Sequence, residues 1–175
     1  VPVPDVIARD LDILYCGVNP GLRSAAVRHH FAHPGNRFWK LLHLAGLTDR
    51  VLAPEDERLL LTYGIGVTNL VERSTRSADE VSLAELRRGA QSLSEKVRRY
   101  RPANVVVLGI SAYRCAFESP GALPGLQAGR FGPSRMWVLA NPSGRQAHYR
   151  MNDMVEQLRR LKDRDVGEVP DSGAG

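Results

Sequence analysis

Hydrophobic positions fall along the chain in two rhythms. Three short apolar runs, Asp12-Ile-Leu-Tyr-Cys16, Asn104-Val-Val-Val-Leu108 and Met136-Trp-Val-Leu-Ala140, show no polar alternation. Runs of that length and character read as strands covered on both faces. Ile65-Gly-Val-Thr-Asn69 reads as a further strand or strand-like loop. Between these runs the spacing turns helical. Leu83, Leu86, Ala90, Leu93, Val97 and Tyr100 recur at steps of three and four, Ser82 and Glu85 form a capping box in front, and Pro102 stops the pattern. Asn36 is placed to cap a helix over residues 37–45, closed by Gly46. Shorter helices are expected over residues 55–61 and 111–118, and Met151, Val155, Leu158 and Leu161 mark a last one. Residues 17–35 read as a long loop containing Gly and Pro, of the kind that is either functional or disordered. Strands alternating with helices predict an α/β domain on a mostly parallel sheet. Residues 163–175 are polar and glycine-rich, and a disordered tail is expected there. That leaves residues 1–162 as a single domain.

The length of 175 residues allows one core without covalent staples. Cys16 and Cys115, the two cysteines, are too few for a disulfide scaffold or a four-cysteine metal site, and both are expected as buried thiols. Val1-Pro-Val-Pro-Asp5 lacks the layout of a signal peptide, and no apolar run approaches 18 residues. A cytoplasmic, reducing, nucleoid-associated location is the expectation. Charge adds more. Lys and Arg number 24 against 19 Asp and Glu, a net of +5. No acid occurs from position 13 to 48 or from 119 to 152, and each window carries four Arg or Lys. Such acid-free stretches suit a face turned toward a polyanion.

Two strand ends share a turn. The first strand runs into Gly17-Val-Asn-Pro-Gly21 and the last into Asn141-Pro-Ser-Gly144. In an open parallel sheet, ligands bind beyond the carboxyl ends of the strands, so the two Asn-Pro turns should converge on one crevice. No G-x-G-x-x-G stands at a strand-to-helix turn, which counts against a small-molecule-binding α/β domain.

Those turns, together with His30-Phe31, Pro34-Gly-Asn-Arg-Phe-Trp39 and Gly64-Ile-Gly-Val-Thr-Asn-Leu-Val-Glu-Arg73, occur in an order and spacing that resemble the mismatch-specific uracil-DNA glycosylase and thymine-DNA glycosylase family. The likeness spans roughly residues 11–161. It implies a three-layer α/β/α sandwich on a short, mostly parallel sheet. It also implies a monomeric, monofunctional enzyme that hydrolyses the glycosidic bond of uracil mispaired with guanine in double-stranded DNA, with no metal or other cofactor. The residues agree with that chemistry. The three lysines, Lys40, Lys96 and Lys162, lie in neither Asn-Pro turn. His29, His30 and His33 make a poor zinc pattern without a fourth ligand.

By this resemblance Asn19 is the catalytic asparagine, which orients water because a carboxamide is no base near neutral pH. Asn141 stands beside the leaving group. Val18, Gly21, Ser24, His30, Phe31 and Asn69 line the base pocket. Phe31 is the aromatic that stacks on the extruded base. His30 either touches the base edge or shapes the loop. Asn69 pairs with the uracil edge, and Ser24 crowds the 5-methyl of thymine, a preference worth ~1–3 kcal/mol. Arg23, Arg28 and Arg150 are candidate phosphate contacts. Ser143, Gly144, Arg145 and Gln146 belong to the loop entering the minor groove, with Arg145 as the wedge and Gly144 and Gln146 offering carbonyls to guanine. Phe38, Trp39 and Trp137 are assigned to the core. Three other readings stay open: a glycosylase for hypoxanthine, xanthine or ethenocytosine; an inactive module that binds mismatched or abasic DNA; and a small-molecule-binding domain unrelated to DNA.

Overall fold

The computed structural model describes residues 2–143 and 151–164. Strands β1 (Ile13–Gly17), β2 (Ile65–Asn69), β3 (Asn104–Leu108), β4 (Gly125–Phe131) and β5 (Ser134–Leu139) form one sheet in the order β2-β1-β3-β5-β4. The first four in that order run parallel, and β4 pairs antiparallel with β5 along the edge. The helices are α1 (Leu22–Val27), α2 (Phe38–Leu44), α3 (Leu83–Tyr100), α4 (Ile110–Ala116) and α5 (Met151–Arg164).

Strand periodicity explains the layers. Side chains alternate between faces at every residue, so a strand buried on both sides feeds two cores. Ile13, Tyr15, Val106, Leu108, Trp137 and Leu139 face one core, with α2 and α5. Leu14, Cys16, Val105, Val107, Met136 and Val138 face the other, with α3 and α4. The result is the expected three-layer α/β/α sandwich. Phe38, Trp39 and Trp137 lie in the first core, as assigned. Leu93 of α3 is fully enclosed in the second, where truncation to alanine costs about 2–5 kcal/mol.

Helix α3 begins at its capping box: Ser82 Oγ accepts from the Glu85 N–H, and the Glu85 carboxylate accepts from the Ser82 N–H. Its buried stripe differs from the expected one. Leu86, Gly89, Leu93 and Val97 are buried, Ala90 is only partly so, and Leu83 is exposed. Gly89 belongs because α3 crosses so close to the chain after β2 that a Cβ there would stand 2.4 Å from the Leu70 carbonyl oxygen.

Four other expectations need correction. The helix expected over residues 55–61 is a tighter three-residue-per-turn winding from Pro54 to Tyr63. Residues 17–35 are not a plain loop, because α1 lies within them, entered at Gly21 without a side-chain cap and ended by left-handed Arg28. Strand β4 was not foreseen at all. Its sequence, Gly-Leu-Gln-Ala-Gly-Arg-Phe, carries little β-propensity, and Gly125 and Gly129 take positive φ around a register shift between Leu126 and Arg130. Cys115 is exposed on α4, whereas Cys16 is buried as expected. The expected tail lies outside the described residues, apart from the end of α5. Among the described residues no helix is long and apolar enough to cross a membrane.

Candidate active site

The carboxyl ends of β1, β2, β3 and β5 meet along one edge of the sheet, as parallel pairing requires. Both Asn-Pro turns leave from that edge. The end of β3 joins them: the Gly109 N–H donates to the Leu139 carbonyl at 2.8 Å, and a Cβ on Gly109 would stand 2.9 Å from Val18. Gly109 also needs its glycine for a φ of 146°.

Asn19, partly buried, follows β1. Its Nδ2 donates to the Arg73 carbonyl at 2.9 Å and to Thr75 Oγ1 at 2.8 Å. The amide can take only one orientation there. A carbonyl only accepts, and the Thr75 hydroxyl gives its own proton to the Ser77 carbonyl at 2.7 Å, so it too must accept from Asn19. Both N–H bonds are spent, and Oδ1 has no partner among the described residues. The clasp is firm: Thr75 is buried and its N–H donates to the Pro20 carbonyl. Arg73 in turn forks onto Glu85 at 2.7 and 3.1 Å and donates to the Glu80 carbonyl. That guanidinium holds the Glu85 carboxyl down at about 2.

Asn141, on the other turn, has the opposite polarity. Its Oδ1 accepts from the Ser143 N–H at 3.0 Å and from the Ser143 hydroxyl at 2.7 Å, which leaves Nδ2 as the group with no partner among the described residues. One turn therefore presents an acceptor and the other a donor.

At the end of β1, two residues before Asn19, lies a slot floored by Gly17. A Cβ there would come within 2.5 Å of Asn69 Oδ1 and 3.6 Å of two Phe31 ring atoms, so only glycine keeps the gap open. Asn69 sits directly across from Gly17 in the β1–β2 pairing. Phe31 takes a left-handed φ of 50° and packs on Phe38 with ring centroids 4.1 Å apart. Its carbonyl accepts from the Trp39 indole at 3.2 Å. The preceding turn is pinned by buried Glu57, which accepts from the His30 N–H at 2.8 Å and from His29 Nδ1 at 3.1 Å. The His30 ring is enclosed, with Nε2 2.8 Å from the Pro4 carbonyl and Nδ1 3.5 Å from Asn69 Nδ2. Burial pushes its pKa below the ordinary 6.5, which favours the neutral ring. Of the two roles left open for His30, its backbone and Nε2 serve the loop, and Nδ1 faces Asn69.

The other expected residues fall as follows. Val18 is buried and gives its carbonyl to the Val71 N–H. Gly21 is exposed at the start of α1 and bridges to Thr75. Ser24 is buried, and its Oγ accepts from the Ala32 N–H at 3.0 Å, tying α1 to the Phe31 loop. Arg23, Arg28 and Ser143 are exposed. Gly144, Arg145, Gln146 and Arg150 lie outside the described residues. Five participants are not singled out by sequence reasoning: Gly17, Glu57, Arg73, Thr75 and the Pro4 carbonyl. Gly17 and Arg73 stood within quoted motifs and Thr75 two positions beyond one, while nothing in the sequence signals Glu57 or Pro4.

Among the described residues no group of three His, Cys, Asp or Glu is arranged to hold a metal ion. The buried Cys16 thiol is pushed far up by desolvation and is no nucleophile. Lys96 is paired with Asp5 at 2.7 Å, and Lys162 with the Gly46 carbonyl, so neither amine is aimed at the slot.

Comparison with known proteins agrees with this layout. The chain is similar in fold to the solution NMR structure of a protein from Methanosarcina acetivorans named as a candidate uracil DNA glycosylase, with 22% identity and a TM-score of 0.59. That match covers 92% of this chain and 97% of the other. The family model described as the uracil DNA glycosylase superfamily matches residues 4–162. The chain belongs to the uracil DNA glycosylase superfamily.

Proposed function

We propose that the protein is a monofunctional DNA glycosylase that hydrolyses the N-glycosidic bond of uracil mispaired with guanine in double-stranded DNA and leaves an abasic site. The observation that carries this reading is the fixed polarity of Asn19, two residues beyond the Gly17 floor of a slot bounded by Phe31 and Asn69, whose Oδ1 has no partner among the described residues. Oδ1 accepts a hydrogen bond from water and holds it over the deoxyribose. It takes no proton in the ground state, so the barrier falls chiefly through charge stabilisation. As the bond breaks, the sugar becomes cationic and the base anionic. Asn141 Nδ2, left over while its Oδ1 is held by Ser143, donates to the departing base, and DNA phosphates favour the sugar cation. Water then adds to the anomeric carbon and releases its proton to solvent or to the departing base. A neutral amide serves less well here than a carboxylate, and slow turnover follows.

The base reaches the slot by leaving the duplex, at a cost of a few kcal/mol that is smallest at a mismatch. Stacking on Phe31 returns about 1–3 kcal/mol. Asn69 reads the uracil edge. Ser24 and the loop it ties down narrow the space at C5, which favours uracil over thymine. Exposed Arg23 and Arg28 meet phosphates, and Arg145 fills the gap left in the stack.

The test is single-turnover excision from oligonucleotides bearing uracil opposite guanine, uracil opposite adenine, thymine opposite guanine, and single-stranded uracil, followed by alkaline cleavage. Uracil opposite guanine is expected to be cut and thymine poorly. Binding to mismatched or abasic DNA without any excision refutes the proposal. Preferential release of hypoxanthine, xanthine or ethenocytosine moves the substrate while keeping the chemistry.

A further inference from the structure

The segment ahead of β1 does more than cover a sheet edge. Val3 and Val6 are buried, and Val6 forms an antiparallel bridge with Val67 of β2 through bonds of 3.0 and 2.8 Å. Between them, Asp5 is clamped by Lys96 at 2.7 Å and accepts from the hydroxyl of fully buried Thr68 at 2.8 Å. Lys96 also donates to that hydroxyl at 2.9 Å. These anchors fix the Pro4 carbonyl in place, and it meets His30 Nε2 at 2.8 Å.

The hydrogen-bond polarity can be followed inward from there. A carbonyl only accepts, so Nε2 carries the proton. Burial lowers its pKa against the pull of the Pro4 hydrogen bond and of the Glu57 and Asp5 charges, which favours the singly protonated ring. Nδ1 therefore offers a lone pair, and the group facing it, at the long end of hydrogen-bonding distance, is Asn69 Nδ2 at 3.5 Å. With its amide nitrogen drawn to His30, Asn69 turns Oδ1 over the bare Cα of Gly17, beside the Phe31 ring edge.

We infer that the strap of residues 2–6 sets the base-reading polarity of Asn69, with His30 as the positioning residue between them. Pro4 fixes the His30 tautomer, and the tautomer fixes which end of the Asn69 amide enters the slot. Uracil carries a donor at N3, whereas cytosine carries an acceptor there. An Oδ1 held in the slot pairs with the first and opposes the second. Discrimination against cytosine thus begins at a main-chain carbonyl remote from the base. This inference rests on the proposed glycosylase function and names one of its specificity determinants.

The test has two arms. The first is a double-mutant cycle on a duplex with uracil opposite guanine, using His30→Phe, Asn69→Ala and the pair, each checked for a cooperative thermal transition. His30→Phe is expected to slow single-turnover uracil excision roughly tenfold in the native background, as one lost hydrogen-bond orientation implies. In the Asn69→Ala background it is expected to change the rate less than twofold. Equal effects in both backgrounds overturn the inference. The second arm needs neither activity nor a variant. Nitrogen-15 NMR of the His30 ring in the native protein at neutral pH is expected to show one proton, on Nε2, and a hydrogen-bonded lone pair on Nδ1. A proton on Nδ1, or on both nitrogens, overturns it. Native protein that excises no uracil refutes the proposed function instead, and the NMR result still decides the hydrogen-bond relay.

Discussion

Gly17→Ala is expected to separate function from stability. The added methyl would meet Asn69 Oδ1 at 2.5 Å, while its nearest Phe31 atoms stay at an ordinary 3.6 Å. The backbone at position 17 cannot retreat, because Gly17 ends a central strand and its carbonyl accepts from the Leu70 N–H at 2.9 Å. The Asn69 amide has to give way, and restoring a normal contact takes about 0.9 Å, the gap between 2.5 and 3.4 Å. A two-torsion side chain can move that far at little cost to the fold. The lower chain entropy of alanine in the unfolded state offsets part of it, so stability should change by no more than about 1 kcal/mol. Function has no such latitude. The methyl occupies the floor of the slot, and a displacement near 1 Å of a positioning group costs on the order of 10²-fold in rate. The assay pairs single-turnover excision of uracil opposite guanine with thermal unfolding followed by circular dichroism. A rate within threefold of the native protein, with an unchanged melting curve, would refute the placement of the base over Gly17.

Asn19→Ala should lower the excision rate by about 10²–10³-fold with DNA affinity mostly kept; loss of binding in a gel-shift titration would make Asn19 a structural residue instead. Thr75→Val keeps the shape but removes one acceptor from the Asn19 amide and the donor to Ser77. It should cost about 1–3 kcal/mol of stability and lower the catalytic rate more than KM rises, and a change confined to KM would contradict the clasp. The Glu85 carboxyl, held at about 2 by Arg73 against an ordinary 4.5, is more acidic in the folded state. Its stabilisation is therefore complete above the unfolded value and lost as pH falls toward 2. Glu85→Gln should flatten acid unfolding in that window, and identical pH–stability curves would show that the pair is thermodynamically silent.

Three of the parallel strands could be read from the sequence because each is a compact apolar run, the Ile65–Asn69 stretch reads equally as strand or loop because Gly, Thr and Asn interrupt it, and α3 is legible because its period, cap and stop agree. Strand β4 could not, since it gains its place by hydrogen-bonding to β5 and not by any preference of its own residues. The same division holds at the site. Asn19, Phe31, Asn69 and Asn141 stand in turns whose spacing carries the family resemblance. What orients them is long-range: Thr75 lies 56 positions from Asn19, and Glu57 lies 27 from His30. A threonine hydroxyl or a buried glutamate has no periodicity and no turn signature, so its role appears only once the chain has brought it home. The amide polarities were equally invisible, because each depends on which main-chain group happens to face it.

That clasp between Asn19 and the segment after β2 has a consequence for partly folded molecules. Molecules in which the connection ahead of α3 came undone would lose the Arg73 and Thr75 partners that hold the Asn19 amide to one orientation. Under the proposed mechanism they would be hydrolytically silent, not indiscriminate. For a glycosylase acting on DNA bases, as proposed, a half-assembled copy would then do no damage, and activity would become a readout of complete folding.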